Sequence, residues 1–107
     1  MTIRSSDLAV RSAGNMSVSA NITAQNTFTE DAEFDHRRPF NHSVSGTWVG
    51  TVTLQRSFDN GSTWLDVYST TGNVETVVDN VESGVLWRLG IKTGNFTSGT
   101  AVCRLSQ

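Results

Sequence analysis

Residues 44–64 read VSGTWVGTVTLQRSFDNGSTW and carry the strongest structural signal in the chain. From residue 51 to residue 58 the side chains alternate strictly between two faces. One face carries Val52, Leu54, Arg56 and Phe58, and the other carries Thr51, Thr53, Gln55 and Ser57. A period of two is typical of a β-strand with one face toward a core. Asn60 and Gly61 then supply the positive φ angles of a primed hairpin turn. We therefore predict an antiparallel hairpin of residues 51–58 and 63–68, closed at residues 59–62.

Length and composition limit the classes of protein that the chain can be. Its 107 residues leave room for one domain. Charged residues make up 17% and the formal net charge is -2, which gives no general attraction to nucleic acid or anionic membranes. No apolar run approaches the roughly 20 residues of a membrane span, and the first residues lack the hydrophobic region of a signal peptide. We expect synthesis in a cytosol, without a nucleic-acid or membrane partner.

The rest of the chain reads as further short strands separated by turn residues. Alternating segments lie at residues 16–24, 40–44, 74–78, 85–91 and 100–106. Turns are predicted at residues 45–47 and 70–73, a loop is bracketed by residues 94–95 and 98–99, and residues 25–35 read as a loop or short strand. This pattern predicts an all-β, two-sheet antiparallel sandwich, jelly-roll or immunoglobulin-like, over residues 15–107. A small barrel is the alternative closure.

The apolar face of each predicted strand gives the expected core. It comprises Val52, Leu54, Phe58, Val85, Trp87, Leu89, Ile91, Ala101, Cys103 and Leu105. Arg56 breaks this pattern, so we expect it at a rim or beside a carboxylate. Cys103 is the only cysteine, which excludes an internal disulfide and favours a small buried hydrophobic side chain.

Two segments are candidates for contact with partner proteins. Residues 1–14 form a poorly patterned N-terminal arm, in which polar residues separate Ile3, Leu8 and Val10. Because so little apolar surface is available, we expect the arm to be ordered by neighbouring subunits. Acidic residues up to Asp35 are followed by His36, Arg37 and Arg38. We interpret this stretch as an ion-pair network, within the chain or with a neighbouring subunit.

The motif formed by Ser57, Asp59, Gly61, Thr63 and Trp64 resembles the Asp box of sialidases and related β-propellers. Its spacing suits a hairpin turn, since a short aspartate accepts backbone N–H bonds across the turn. In sialidases such boxes repeat and lie away from the active site. This chain has one copy and is too short for a propeller, so we interpret the motif as structural.

No catalytic, cofactor or metal site is predicted. His36 and His42 lack the matched spacing of metal ligands and are expected at the surface. No nucleophile motif or phosphate-binding loop appears. Trp48 lies between glycines in a predicted loop, where an exposed indole could stack on a sugar ring.

Three segments within the span from Phe40 to Gln107 carry a resemblance to a known class of proteins. They are residues 45–64, residues 84–94 (GVLWRLGIKTG) and residues 98–107 (SGTAVCRLSQ). These segments resemble small virion proteins of tailed bacteriophages, including head decoration (cement) proteins. The resemblance implies a non-enzymatic β-sandwich that binds the major capsid protein and other virion subunits, forms homo-oligomers on the particle and resides in the virion. A head–tail or tail component is the alternative within that class. A carbohydrate-binding adhesion module, through Trp48, and a sialidase-type enzyme are alternatives from other classes.

Overall fold

The computed structural model describes residues 10–11 and 16–107, and within these residues it contains ten β-strands and no helix. The strands are β1 (Val10–Arg11), β2 (Ser17–Ile22), β3 (Thr27–Phe28), β4 (Ala32–Glu33), β5 (Phe40–Gly50), β6 (Val52–Ser57), β7 (Leu65–Thr70), β8 (Val74–Val78), β9 (Leu86–Ile91) and β10 (Phe96–Ser106). Sheet I has the order β1-β4-β9-β6-β7, with β3 also paired to β9, and sheet II has the order β2-β10-β5-β8. All described pairs are antiparallel except β1 with β4. The predicted two-sheet sandwich is confirmed.

The strand pairs are nested around the predicted hairpin. Strand β6 pairs with β7, β5 with β8, β3 and β4 with β9, and β2 with β10. The chain is therefore one long hairpin, with its tip between β6 and β7, rolled into two facing sheets. This arrangement is the jelly roll, the first of the two topologies that the sequence left open.

The hairpin tip has the predicted turn geometry. Asn60 and Gly61 have φ angles of 60° and 89°, and the Ser62 amide donates to the Asp59 carbonyl at 3.3 Å. Positive φ at both central residues is what a type I′ turn requires. The pairing of β6 with β7 shifts register between Leu54 and Gln55, which leaves Val67 as an extra residue in β7.

The core lies between the sheets and contains all the predicted residues except Phe58. Phe58 is 50% exposed, because it follows the last residue of β6. The Arg56 guanidinium carbon lies 5.0 Å from the centroid of the Phe58 ring. The core also contains side chains that the prediction did not include. These are Val18, Ile22, Ala32, Phe34, Phe40 and Val44.

Two predicted interruptions are wrong, because β5 and β10 pair through them. The turn at residues 45–47 lies inside β5, where Gly46 has a φ of 97° and pairs with Ala101. A Cβ atom at Gly46 would lie 2.5 Å from the Thr100 carbonyl oxygen, so the close approach of the two strands requires glycine there. The loop predicted to end at residues 98–99 is shorter, since β10 begins at Phe96 with a register shift before Ser98.

Candidate protein interface

The polar atoms of the Asp-box-like motif form hydrogen bonds within its own turn. The Ser57 hydroxyl donates to Asp59 Oδ1 at 2.7 Å and accepts from the Gly61 amide at 2.8 Å. The Thr63 amide donates to the same Asp59 oxygen at 2.8 Å. The Ser57 hydroxyl, followed by the Thr63 donors, holds the pKa of Asp59 below its usual value. The Trp64 indole lies under Gly61, since a Cβ atom there would be 3.6 Å from Trp64 Cζ2. This geometry agrees with a structural role.

Trp64 also belongs to a cluster on the outer face of sheet I. The Arg88 guanidinium lies between two rings, 3.9 Å from the Phe28 centroid and 4.2 Å from the Trp64 centroid. Arg88 Nε donates to Gln55 Oε1 at 2.8 Å, and Gln55 Nε2 donates to Asp66 Oδ1 at 2.9 Å. Burial lowers the pKa of Arg88. The cluster covers the face of β6 that carries polar side chains, and this face is buried. Alternation alone did not predict its burial.

The acidic member of this cluster is neutralised within the chain. Lys92 Nζ lies 2.6 Å from Asp66 Oδ2. The hydrogen bond from Gln55, and then that from Lys92, lowers the pKa of Asp66. Nearby, burial raises the pKa of Asp31, and the charge of Arg88 opposes that rise. The sequence signal for this cluster was only the isolated Phe28 and the charged Arg88 inside an apolar strand.

The predicted ion-pair network at Asp35, Arg37 and Arg38 is confirmed within the chain. Arg37 Nε and Nη2 donate to the two Asp35 carboxylate oxygens, each at 2.9 Å. Arg38 Nε lies 3.8 Å from Asp35 Oδ2. The Arg37 hydrogen bonds hold the pKa of Asp35 well below its usual range. Gln107 fastens this segment, because its side-chain amide accepts from the Asp35 amide and donates to the Asp35 and Arg38 carbonyls, each at 2.9 Å. Contact of this segment with a partner stays a prediction.

The predicted arm is placed only in part. Ile3 and Leu8 lie outside the described residues. The backbone of Val10 pairs in parallel with Ala32, at the edge of sheet I opposite β7. The arm's role in partner binding stays a prediction.

The environment predicted for Trp48 is wrong. Trp48 lies in β5, is partly buried against the core and donates from Nε1 to Asn73 Oδ1 at 2.8 Å. It lines an open groove of about 420 Å³. The other lining residues are Val49, Gly50, Thr51, Thr71, Gly94, Asn95 and Thr97.

The surface position predicted for His42 is also wrong, whereas His36 is exposed. His42 shares the inner face of β5 with Phe40 and Val44 and is 1% exposed. It contacts the Tyr68 ring edge-on, with the centroids 5.3 Å apart. Neither ring nitrogen of His42 has a hydrogen-bond partner among the described residues, and burial lowers the pKa of His42. Within the described residues, no three His, Cys, Asp or Glu side chains form a group that could hold a metal ion.

Exposed apolar side chains concentrate along the hairpin's second strand. Among the described strands, β7 is the last of sheet I and pairs on one side only, with β6. Leu65, Val67 and Tyr68 of this strand are all exposed, as is the neighbouring Phe58. With Arg56 they form the β7 surface, defined as Arg56, Phe58, Leu65, Val67 and Tyr68. Sequence reasoning missed this surface because an edge strand and a central strand have the same alternation.

Arg56 is the charged member of the β7 surface. It pairs in register with Leu65 on one side and Trp87 on the other. Its guanidinium carbon lies 5.0 Å from the Phe58 centroid and 5.9 Å from the Trp87 centroid. Its Nε is buried without a hydrogen-bond partner, and Arg56 forms no ion pair with any carboxylate of the described residues. Arg56 therefore lies at the rim of the core, which is the first of its two predicted positions, and not beside a carboxylate of the described residues.

Comparison of the chain with protein-family profiles, curated proteins and solved structures gave no match. In the described part of the chain there is no helix of the length and apolar character needed to cross a membrane.

Proposed function

We propose that this protein is a non-enzymatic structural protein of a bacteriophage virion, and specifically a decoration protein that binds and stabilises the assembled head. The observation that carries the proposal is the β7 surface. There, exposed apolar side chains of the edge strand β7 lie next to Phe58 and to Arg56 of β6, and Arg56 has no carboxylate partner among the described residues. Exposed apolar groups that cluster on one surface mark sites of protein–protein contact. Aromatic residues and arginine are enriched at the centres of such contacts.

The resemblance of residues 45–64, 84–94 and 98–107 to phage virion proteins supports the specific class. The jelly roll is compatible with it, because viral capsid domains use this architecture, as do lectins. Fold alone does not assign a function, so the β7 surface and the resemblance carry the argument. The implied partners are the major capsid protein and other virion subunits, after synthesis in the host cytoplasm. A head–tail or tail component would use the same surface at another position.

Binding across several subunits would stabilise the shell by mass action, because the bound chain favours the assembled state over the dissociated one. The candidate contacts are the β7 surface, the arm containing Ile3, Leu8 and Val10, and the segment with Asp35, Arg37 and Arg38. Since the charges of that segment already pair with one another, its expected contribution is smaller than that of the β7 surface.

Cryo-EM of virions that contain the chain, combined with heat release of the packaged genome, tests this proposal. We expect density for the chain on the outer surface of the head, and earlier genome release when the chain is omitted. Val67→Asp should reduce the fraction of head sites that the chain occupies, because this substitution places a carboxylate in the apolar β7 surface. Val49→Asp is the matched control, since Val49 is also an exposed valine but lies outside the β7 surface.

Density confined to the tail would move the assignment to a tail component. Absence of the chain from purified virions would reject the structural proposal. Equal loss of occupancy in the Val67 and Val49 variants would show that the β7 surface is not the contact.

Carbohydrate binding is the second candidate function, and the groove at Trp48 favours it. The groove combines a partly buried indole with polar side chains from Thr71, Asn95 and Thr97. Indole fluorescence and calorimetric titration with a glycan panel test this function. Saturable binding that is lost in Trp48→Ala and kept in Val67→Asp would support this function. A chain that delays genome release on heating but binds no glycan of the panel would reject it.

A further inference from the structure

We infer that one subunit bound at the β7 surface is a second copy of this chain, which places its Val81 against Phe58 and Leu65 and its flanking carboxylates beside Arg56. This inference rests on the proposed function and deepens it, because it names a partner for part of the same surface. Both contributing features lie on one chain. Among the described residues, Val81 stays exposed and Arg56 has no carboxylate partner.

The first feature is the segment that connects β8 to β9. Val81 is 86% exposed, more than any other exposed large hydrophobic residue of the described chain. The acidic residues Asp79 and Glu82 flank it, both are exposed, and neither forms an ion pair with a described residue. Asn80 fixes the base of this segment, since it is buried and its Nδ2 donates to the Asp35 carbonyl at 3.0 Å. A fixed base lowers the conformational entropy that binding would cost.

The second feature is the end of the β7 surface near the hairpin tip. Phe58 and Leu65 are about half exposed. Arg56 lies between them and Trp87. Its guanidinium lies over the Phe58 and Trp87 rings, and no carboxylate of the described residues neutralises it. A cation in partly apolar surroundings gains more from a carboxylate than an exposed cation does, because solvent screening is weaker there. The chemistry of this end therefore fits an apolar side chain flanked by acidic groups, which is what residues 79–82 provide.

Topology places both features at the same end of the sandwich. Ser57, the last residue of β6, pairs with Leu86, the first residue of β9. Phe58 continues from Ser57, and the segment that contains Val81 leads into Leu86. Within one copy the features do not cover each other, as the exposure of Val81 shows.

A two-fold axis near this end would let each copy supply Val81 to the other. Such a contact is isologous and closed, because each surface is used once in each direction. The dimer therefore contains two equivalent contacts between Arg56 and residues 79–82. It leaves Val67 and Tyr68, further along β7, for another virion subunit.

Sedimentation velocity of the purified chain over a concentration series tests the inference. We expect a reversible dimer whose dissociation constant rises at least about tenfold for Val81→Asp and for Arg56→Glu, corresponding to about 1.4 kcal/mol. High salt should also weaken the dimer, because charge pairs contribute to it. Val49→Asp is the control and should dimerise like the wild type. Circular dichroism of each variant checks that the fold is kept.

A charge exchange provides the sharper test. Arg56→Glu and the double variant Asp79→Lys/Glu82→Lys should each be monomeric alone, because both contacts of either homodimer would be repulsive. An equimolar mixture should form a heterodimer, since one contact is then native and the other is reversed but attractive. A wild-type chain that stays monomeric throughout, or a dimer insensitive to Val81→Asp and Arg56→Glu, would overturn the inference. Attachment to virions that depends on Val67 would in that case still support the proposed function.

Discussion

Gly61 provides the most direct test of the hairpin on which the jelly roll is built. Its φ of 89° lies in the left-handed region, where an L-residue with a Cβ atom pays about 1–2 kcal/mol. A Cβ atom there would meet Asp31 Oδ2 and Trp64 Cζ2 at 3.6 Å, which is ordinary contact. Gly61→Ala therefore measures backbone conformation without a steric clash. A β-branched residue, in Gly61→Val, should cost about 1–3 kcal/mol.

Gly72 supplies the matched control, because it lies in the other turn next to β7, has no positive φ and would place its Cβ in open space. Any alanine replacing glycine also reduces the entropy of the unfolded chain, and this effect cancels between the two variants. Urea unfolding followed by tryptophan fluorescence should thus separate Gly61→Ala from Gly72→Ala by about 1–2 kcal/mol. In thermal melts the separation should be about 4–16 °C. Coincident unfolding curves would refute the left-handed turn at Gly61 and with it the predicted closure.

Three further predictions concern the interior. Trp87→Ala should lower the free energy of unfolding by about 3–5 kcal/mol in urea titrations, because the indole is buried between Phe40 and Arg56; a loss below about 1 kcal/mol would contradict the core assignment. Burial raises the pKa of Cys103 to about 12, so a thiol reagent should label it only as fast as the protein opens, and rapid labelling of the native protein would contradict the packing. Burial lowers the pKa of His42, so the unfolded chain binds a proton that the native chain does not as pH falls below about 6.5. The free energy of unfolding should therefore decrease between about pH 7 and pH 5, above the range of most carboxylates; His42→Leu should flatten this dependence, whereas a control variant, His36→Gln, should keep it.

The alternation of apolar residues predicted the strands well because it reports which face of a strand meets a core. It placed Val52, Leu54 and Trp87 correctly for that reason. The same alternation puts His42 in phase with Phe40 and Val44, whereas its residue type predicts a surface position. Position is the better guide here, since strand geometry fixes the direction of the side chain.

Sequence reasoning was weaker for features that depend on which strands become neighbours. Gly46 suggested a turn because glycine is common in turns. In the structure β5 continues through Gly46, where β10 approaches closely. The stack of Phe28, Arg88 and Trp64 joins residues that are distant in sequence, so no local period reveals it. The β7 surface depends on β7 being the last strand of its sheet, which the nested pairing decides and local alternation does not.

The two edges of sheet I differ in a way that bears on how a partner would bind. One edge is β1, of which the structure describes Val10–Arg11. The other is β7, of six residues, whose one charged side chain, Asp66, is held by Gln55 and Lys92 on the outer face. Natural edge strands that remain in solvent are commonly protected by lysine, proline or short length, and β7 has none of these. The bulge at Val67 nevertheless interrupts the regular backbone ladder, so it disfavours continuous strand addition along the whole edge. A partner on this side would therefore bind chiefly through side chains, and those available are the aromatic, aliphatic and arginine side chains of the β7 surface.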